Sequence, residues 1–265
     1  MQHNIITFTT DFGLTEHYVG TMKGVIAGIN PGVQMVDICN SVTSYDVLEG
    51  ALALAQAYHY FPPGTVHLAI VDPGVGSSRR PIVVDSGRYL FVAPDNGLLS
   101  LVYEREERVT VRHITAEHYF LQPVSNTFHG RDIFAPVAGW VSKGVDLTKL
   151  GDEITDYVRF TIPKPKSNGA RVVKGVVIRV DKFGNLITNL TAQDVPILSE
   201  TASPTFRLSV GKTTVCTLRT AYAQAQPGEV FAIVGSMGYL EISANRAPAS
   251  QITGAGRGAE IVFEW

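Results

Sequence analysis

The sequence predicts an α/β protein of two unequal domains. In its first half, short strands rich in valine and isoleucine alternate with segments whose apolar residues recur at helical spacing. This order is typical of a mixed, mostly parallel sheet with helices on both faces. After residue 165 the apolar segments are short, β-rich and separated by turn residues, which predicts a smaller all-β barrel or sandwich. A length of 265 residues is enough for two such cores.

The N-terminal domain is predicted to repeat the order strand then helix. Its near-continuous apolar strands indicate a sheet that is buried on both faces. Ser86-Gly87 separates two further strand segments, which predicts a hairpin and therefore a mixed sheet. The predicted strands are 4–10, 33–38, 65–71, 81–85 and 88–92, and the predicted helices are 19–29, 47–61 and 131–141.

The domain boundary is predicted near residue 165, which gives an N-terminal domain of residues 1–165 and a C-terminal domain of residues 166–265. Residues 142–168 are rich in charge, proline and glycine and have no sustained periodicity, as is typical of a connection between domains. The strands predicted beyond this connection are 172–180, 206–210, 213–218, 229–234, 239–242 and 260–263.

Composition and charge narrow the classes of partner. The net charge is −2 and the basic residues form no stripe, so neither nucleic acid nor an anionic membrane surface is expected as a partner. No apolar run approaches the roughly 20 residues of a membrane-spanning helix. Met1 to Asn4 carry no secretory signal, so we expect a cytoplasmic protein with a small-molecule partner. Cys39 and Cys216 lack a metal-binding spacing, and both are expected to be buried.

Polar segments follow the apolar strands of the N-terminal domain. Asp11 lies where the first predicted strand ends, and Asp72 and Arg79 lie in the loop after the third. In open α/β sheets, ligands bind at the carboxyl ends of the strands, so these side chains are candidates for one site. Structural explanations also exist, since Asp11 could cap a helix and Asp72 could pair with Arg79 to hold the turn. The other polar segments are 93–97 and 128–132, the second of which contains His129.

Several motifs in a fixed order span nearly the whole chain, and together they resemble one family. This family is the S-adenosylmethionine hydroxide adenosyltransferases, relatives of the fluorinating and chlorinating enzymes. A set of ordered motifs is much more specific than any one of them. The motifs are Thr10-Asp11-Phe12-Gly13, Asp72-Pro73-Gly74-Val75-Gly76, Ala93-Pro94-Asp95-Asn96-Gly97, Phe128-His129-Gly130-Arg131-Asp132, Asp181-Lys182-Phe183-Gly184-Asn185 and Gly238-Tyr239-Leu240.

The resemblance implies an enzyme that converts S-adenosyl-L-methionine and water into adenosine and L-methionine, without a metal or cofactor. It also implies an N-terminal α/β domain, a C-terminal β-barrel and a homotrimer whose active sites lie between subunits. Asp72, Arg79 and His129 would form a triad beside the attacking water, in which Arg79 favours hydroxide and the other two orient it and move its proton.

The resemblance also implies substrate-binding residues. Asp11 would bind the ribose hydroxyls, and Tyr45 and Phe128 would line the nucleoside. In the C-terminal domain, the resemblance assigns the methionine ammonium to Asp181, stacking near adenine to Phe183, the adenine edge to Asn185, the methionine carboxylate to Ser236, and further contacts to Tyr239 and Glu241. Met237 and Ala244 stand where the halogenating relatives have arginines.

Three alternatives are weighed against hydrolysis. A module could bind S-adenosylmethionine or adenosine without turnover, in which case the triad would be structural. A halogenase is disfavoured, because a carboxylate about 4 Å from a halide would repel it by roughly 4 kcal/mol at an effective dielectric constant near 20. A metal-dependent hydrolase would use Asp11, Asp72 and His129 as ligands.

Overall fold

The structure of the chain is a computed structural model that describes residues 4–199 and 204–265. It is a mixed α/β protein with two sheets, one of six strands and one of nine. The chain divides into two compact units, Met1–Thr161 and Ile162–Trp265. The sequence analysis placed the boundary between residues 165 and 166, in the same irregular segment.

The first unit contains a sheet with the order β2-β1-β3-β5-β4-β6. Strand β1 is parallel to β2 and β3, and β3 is parallel to β5, whereas β4 is antiparallel to β5 and β6. Its elements are β1 (Ile5–Thr10), α1 (Tyr18–Ile29), β2 (Gln34–Cys39), α2 (Val47–Ala57), β3 (Val66–Ile70), β4 (Pro81–Asp85), β5 (Leu90–Pro94), α3 (Ser100–Arg105), β6 (Thr110–His113), a π-helical turn (Gly130–Phe134) and α4 (Ala135–Ser142).

Alternate residues of the central strands pack against different groups of helices. Ile6 and Phe8 of β1 belong to a core that also contains residues of α1 and α4. Thr7, between them, bonds through its hydroxyl to Nδ1 of His67 at 2.7 Å, and the His67 ring stacks on Phe91 with 5.1 Å between ring centroids. Since successive side chains of a strand point to opposite faces, both faces are buried, which explains the continuous apolar runs.

The second unit contains the nine-stranded sheet, whose main path is β11-β10-β15-β8-β9-β14-β13-β12, with β7 paired to β8. Between the described residues of β11 and β12, at the two ends of this path, no ladder forms. The elements are β7 (Lys166–Ser167), β8 (Val172–Val180), β9 (Leu186–Thr191), β10 (Arg207–Val210), β11 (Thr213–Val215), β12 (Leu218–Arg219), β13 (Val230–Val234), β14 (Tyr239–Ala244), α5 (Ala249–Thr253) and β15 (Glu260–Glu264).

Some expectations from the sequence are wrong. Helix α5 follows Pro248, so the second unit is not all-β. Cys216 is exposed and Cys39 is only partly buried, so neither is the buried residue that its type suggested. Over residues 4–199 and 204–265, no helix is both long and apolar enough to cross a membrane. Residues 1–3, which contributed to the expectation of a cytoplasmic protein, lie outside the described range.

Candidate active site

Three residues from distant parts of the first unit form one hydrogen-bonded group. Asp72 follows β3, Arg79 precedes β4, and His129 lies directly before the π-helical turn. The Arg79 guanidinium donates from Nε to Asp72 Oδ1 at 3.0 Å, and from Nη2 to Asp72 Oδ2 at 2.5 Å. The same Nη2 lies 2.7 Å from Nδ1 of His129. The sequence analysis gave a pairing of Asp72 with Arg79 as one explanation of the turn and joined His129 to them as a triad through the resemblance; the structure brings all three together.

The arginine determines which nitrogen of His129 carries the proton. A guanidinium has only donors and stays charged, so Nδ1 of His129 must accept its hydrogen bond. The proton of the neutral imidazole therefore lies on Nε2. Burial lowers the pKa of His129, and the positive charge of Arg79 lowers it further. Both effects keep the ring neutral, with Nε2–H as a donor.

The loop that carries Asp72 and Arg79 is held from several sides. Gly76 has a φ of 78° and lies so close to the carbonyl oxygen of Asn126 that a Cβ atom would overlap it. The side chain of Asn96 donates to the carbonyl of Val71 at 2.8 Å, directly before Asp72. The guanidinium of Arg79 also lies 5.0 Å from the ring centroid of Phe134. These contacts fix the loop before any ligand binds.

Two residues of the predicted motifs support the site without forming part of it. Asp132 is fully buried and accepts hydrogen bonds from the backbone and hydroxyl of Ser125 and from Arg131. Asp95 is also buried, and it accepts from Arg80 at 2.7 Å and from the backbone of Val158 at 2.8 Å. Each carboxylate holds a loop in place, which explains its presence in a motif.

Asp11 lies at the end of β1 and is tied to the loop after β2. Its Oδ2 accepts a hydrogen bond from the backbone N–H of Tyr45 at 2.8 Å, so the structure brings these two predicted residues together. The Tyr45 side chain is 74% exposed. Burial raises the pKa of Asp11, and the negative charge of Asp72 adds to this effect. Asp11 therefore lies within electrostatic reach of the triad, at the carboxyl edge of the sheet.

Sequence reasoning missed Asn40, which joins the same two loops. Its backbone carbonyl accepts from Gly13 at 2.7 Å, and its side-chain oxygen accepts from the Thr10 hydroxyl at 3.0 Å. Asn40 is 4% exposed, and its Nδ2 is a buried donor without a partner among the described residues. An asparagine after a strand is an ordinary loop residue, so no pattern marked it.

Phe128 belongs to an aromatic cluster beside the triad. Its ring contacts Tyr18 edge to face at 5.0 Å and Phe12 at 5.9 Å between ring centroids. Phe128 itself is buried, while Tyr18 is partly exposed. The cluster offers apolar ring surface next to His129, and Phe12 and Tyr18 are members that the sequence analysis did not name.

The second unit has a cavity of about 900 Å³ that contains most of the predicted residues of this unit. Asp181, Phe183, Asn185, Ser236 and Glu241 line it. Tyr239 begins β14 and is not part of the lining, so its role stays a prediction. Residues that the sequence analysis did not name also line the cavity, among them Tyr222, Arg246 and Ser250.

Asp181 and Asn185 form a closed turn within this cavity. Oδ1 of Asp181 accepts from the backbone of Phe183 at 2.9 Å and of Asn185 at 2.8 Å, and Oδ2 accepts from the Asn185 side chain at 2.9 Å. Phe183 is 76% exposed. The turn therefore holds an aromatic face and an amide edge at the wall of the cavity.

Glu241 is the most buried charged group of the cavity wall. It is 8% exposed, and its Oε2 accepts a hydrogen bond from the Tyr222 hydroxyl at 3.1 Å. Burial raises the pKa of Glu241, and the charge of Asp181 raises it further. Burial and Glu241 raise the pKa of Tyr222 to about 12, so Tyr222 remains the donor.

A second cavity of the first unit, of about 710 Å³, lies away from the triad. It is lined by Asn4, Thr65 and Leu90, which lie at the beginning of parallel strands, so it faces the opposite edge of the sheet. Across residues 4–199 and 204–265, no group of three or more His, Cys, Asp and Glu side chains is arranged to hold a metal ion.

Comparisons with known proteins agree with the order of the motifs. A family model described as the SAM hydroxide adenosyltransferase N-terminal domain matches residues 6–151, and one for the C-terminal domain of the same family matches residues 175–262. The chain belongs to the SAM hydroxide adenosyltransferase family. The two matched ranges fall in the first and second units respectively.

Relatives within and near this family match over nearly their full length. The (R)-S-adenosyl-L-methionine hydrolase of Salinispora tropica is 35% identical and covers 97% of this chain and 96% of its own. The enzyme of the same name from Methanocaldococcus jannaschii is 36% identical, covering 94% of this chain and 91% of its own. A fluorinase from an Actinoplanes species is 29% identical and covers 92% of each chain.

Solved structures include an uncharacterized conserved protein from Thermotoga maritima. It matches with a TM-score of 0.90 and 38% identity, over 97% of this chain and 99% of its own. The fold described above is therefore shared by this protein of known structure.

Proposed function

We propose that this adenosyltransferase family member hydrolyses S-adenosyl-L-methionine to adenosine and L-methionine. The observation that carries the proposal is the buried hydrogen-bonded group of Asp72, Arg79 and His129. Family membership and the names of the hydrolase relatives support the same reaction. No metal or cofactor is required, since water is the nucleophile and the leaving group is already activated as a sulfonium.

The reaction requires an aligned water and an acceptor for its proton. The water oxygen attacks ribose C5′ as the C5′–S bond breaks, and the bonding electrons go to sulfur, which leaves as the neutral thioether of methionine. No general acid is needed for this leaving group. The catalytic task is therefore to align the water behind the C5′–S bond and to remove its proton as the new C–O bond forms.

The hydrogen bonds of the triad indicate the role of each member. His129 presents Nε2–H and so donates to the water oxygen, while its Nδ1 is occupied by Arg79. This leaves the Asp72 carboxylate as the proton acceptor. A carboxylate is a weak base, but attack at C5′ makes the water oxygen positive and its proton strongly acidic, so a weak base is sufficient. Arg79 orients Asp72 and His129 at once.

The same carboxylate favours water over halide. A halide already carries a negative charge, and the buried Asp72 would repel it at close range. The fluorinase relative is also less similar than the two hydrolases, at 29% identity against 35% and 36%. Both observations support hydrolysis over halogenation.

Substrate binding is proposed for residues of both units. Asp11 binds the ribose hydroxyls, and Tyr45 and Phe128 contact the nucleoside from the first unit. From the second unit, the adenine and methionine parts are bound by Asp181, Phe183, Asn185, Ser236, Tyr239 and Glu241. We further propose that the protein is a cytoplasmic homotrimer. In this trimer, one substrate is bound by the first unit of one subunit and the second unit of the next. We also propose that the C-terminal sheet curls into a barrel. These assignments follow the family resemblance.

The test is to incubate the purified protein with S-adenosyl-L-methionine and to measure adenosine and L-methionine by chromatography. We expect the two products in equal amounts, and the same rate in the presence of excess chelator. No adenosine above the control without protein would favour the binding module. With added chloride or fluoride, formation of a 5′-halogenated nucleoside in place of adenosine would favour the halogenase.

A further inference from the structure

The segment Ser125-Asn126 contacts both parts of the first unit that carry the triad. The Ser125 hydroxyl accepts a hydrogen bond from the backbone N–H of Phe128 at 3.1 Å, and Phe128 directly precedes His129. The Asn126 carbonyl lies against Gly76, within the loop that carries the other two triad residues. The segment therefore sets the spacing between His129 and that loop.

Asp132 anchors this segment from the interior of the first unit. Its Oδ2 accepts one hydrogen bond from the backbone N–H of Ser125 at 2.9 Å and another from the Ser125 hydroxyl at 2.7 Å. Its backbone carbonyl accepts from the N–H of Leu121 at 2.8 Å, just before the segment. Asp132 is buried, so losing a partner would leave a polar group without water to replace it. The anchor is therefore costly to release.

The spacing that this anchor sets is critical for one contact of the triad. Nη2 of Arg79 lies 2.7 Å from Nδ1 of His129, and this hydrogen bond joins the loop before β4 to the π-helical turn. A hydrogen bond is lost beyond about 3.5 Å, so a shift of about 1 Å between the two segments breaks it. Misplacement of this size can lower a rate by about 10²-fold. Loosening of the anchor should therefore be visible in kcat.

Asp132 also acts on His129 through its charge. Burial lowers the pKa of His129, and the charge of Arg79 lowers it further. The negative charges of Asp72 and Asp132, together with the backbone of Ser125, raise the pKa of His129. The ring therefore responds to charges from the loop before β4 and from its own turn, and a change at Asp132 alters this balance.

We propose that Asp132 is a positioning residue of the triad, which acts through Ser125 to hold His129 against the loop that carries Asp72 and Arg79. Asp132 contacts neither the water nor the substrate in the proposed mechanism, so it is not a catalytic residue. The proposal rests on the proposed function, because it assumes that the triad acts on a water molecule.

The kinetic test uses Ser125→Ala, which removes the hydroxyl between Asp132 and Phe128 but keeps the charge of Asp132. We expect kcat to fall about 10- to 100-fold and KM to change by less than about 3-fold. Thr148→Ala is the matched control. Thr148 donates from its backbone N–H and its hydroxyl to Oδ1 of Asp146, at 3.0 and 2.8 Å, beside the cavity at the opposite edge of the sheet. We expect the control to change neither constant, and equal kcat values in the two variants would overturn the proposal.

The second test measures protonation of His129 by NMR, from ring signals that are assigned by their loss in His129→Asn. Asp132→Asn removes a negative charge and leaves the cation of Arg131, which donates to Asp132 at 2.6 Å, without its partner. Both changes disfavour the protonated ring, so the midpoint should move to lower pH. Ser125→Ala keeps both charges and should leave the midpoint in place. A residue with only a structural role would move neither midpoint, so an unmoved midpoint in Asp132→Asn would overturn the proposal.

The two tests also separate this proposal from the proposed reaction. Adenosine formation by the unchanged protein tests the reaction, whereas the midpoint of His129 is read without turnover. A protein that forms no adenosine but shows the shifted midpoint would contradict the reaction and support the link from Asp132 to His129. A protein that forms adenosine with an unmoved midpoint would do the reverse. If Asp132→Asn does not fold, Arg131→Gln decides, because loss of this cation should move the midpoint to higher pH.

Discussion

Replacing Asp72 by asparagine tests the triad most directly, because the change keeps the size of the side chain and removes its charge. The side chains of Asp72 and Arg79 are only 6% and 9% exposed, and the guanidinium makes a two-pronged contact with the carboxylate. Removing one partner of a buried ion pair costs about 3–5 kcal/mol, since the other charge stays buried and unpaired. For a protein of this size, that corresponds to a fall in Tm of roughly 6–20 °C.

The activity of Asp72→Asn should fall further than its stability. An amide cannot accept the proton of the attacking water, and loss of a general base lowers kcat by about 10²- to 10⁴-fold. KM should change by less than about 3-fold, because Asp72 acts on the nucleophile and the substrate is bound by other residues. Rates are measured as adenosine released well below the Tm of the variant.

The matched control is Asp156→Asn, which removes a carboxylate from a different arginine pair. Asp156 is 76% exposed and pairs with Arg80, so its loss should leave both the stability and kcat nearly unchanged. Wild-type turnover in Asp72→Asn would refute the role of the carboxylate. Equal losses of turnover in both variants would show that the effect is not specific to the triad.

Two further predictions concern the supports of the site and the core. Gly76→Ala should lower kcat by at least about 10-fold and the free energy of unfolding by about 2–4 kcal/mol, because the new side chain strains a positive φ and overlaps the Asn126 carbonyl. Gly87→Ala is the control, since Gly87 has a φ of 75° but open space around it. It should lower the free energy of unfolding by only about 1–2 kcal/mol, without loss of activity. Comparable kcat values in the two variants would contradict this. Burial lowers the pKa of His67 to about 3. Below pH 6.5 the unfolded chain therefore binds a proton that the folded chain does not. The free energy of unfolding should fall by about 1.4 kcal/mol per pH unit as the pH drops from 6.5 towards 3. Denaturant titrations at pH 7 and pH 5 should show this slope, and His67→Phe should reduce it by one proton equivalent; an unchanged slope would show that His67 does not cause it.

Five of the six strands of the first unit could be predicted because they leave apolar runs, whereas β6 was missed, since only Val111 of its four residues is buried. Strand β9 was missed for the converse reason, since its buried positions include Thr188 and Asn189, which resemble loop residues in composition. Helix α3 has only six residues, too few for a helical period to stand out. The π-helical turn depends on one extra residue per turn, which leaves no pattern in a single sequence.

The candidate site could be predicted as a set of motifs but not as a geometry. His129 lies 50 residues after Arg79 in the chain, and only the strand order brings the two into contact. The motifs also did not distinguish residues proposed to act on the substrate from residues that hold the loops of the site in place. Asp95 and Asp132 look as reactive as Asp72 in the sequence, yet each accepts a backbone N–H that holds a loop, whereas the donor to Asp72 is Arg79, which also bonds His129. Tyr222 lies outside every motif; it belongs to a short 3₁₀ turn, whereas its partner Glu241 lies on β14.

In the proposed mechanism, the central position of Arg79 makes the three triad residues act as a unit. One guanidinium nitrogen bonds both Asp72 and His129, so it keeps the carboxylate oriented and at the same time forces the imidazole to present Nε2–H. A lysine at this position could not make the two-pronged contact, and a neutral donor would not lower the pKa of His129 through its charge. If His129 took up a proton, its Nδ1–H would face the donors of Arg79, and the group would separate. In the proposed mechanism, a water molecule held by Nε2–H of His129 would lose its proton to Asp72, and this requires the histidine to stay neutral.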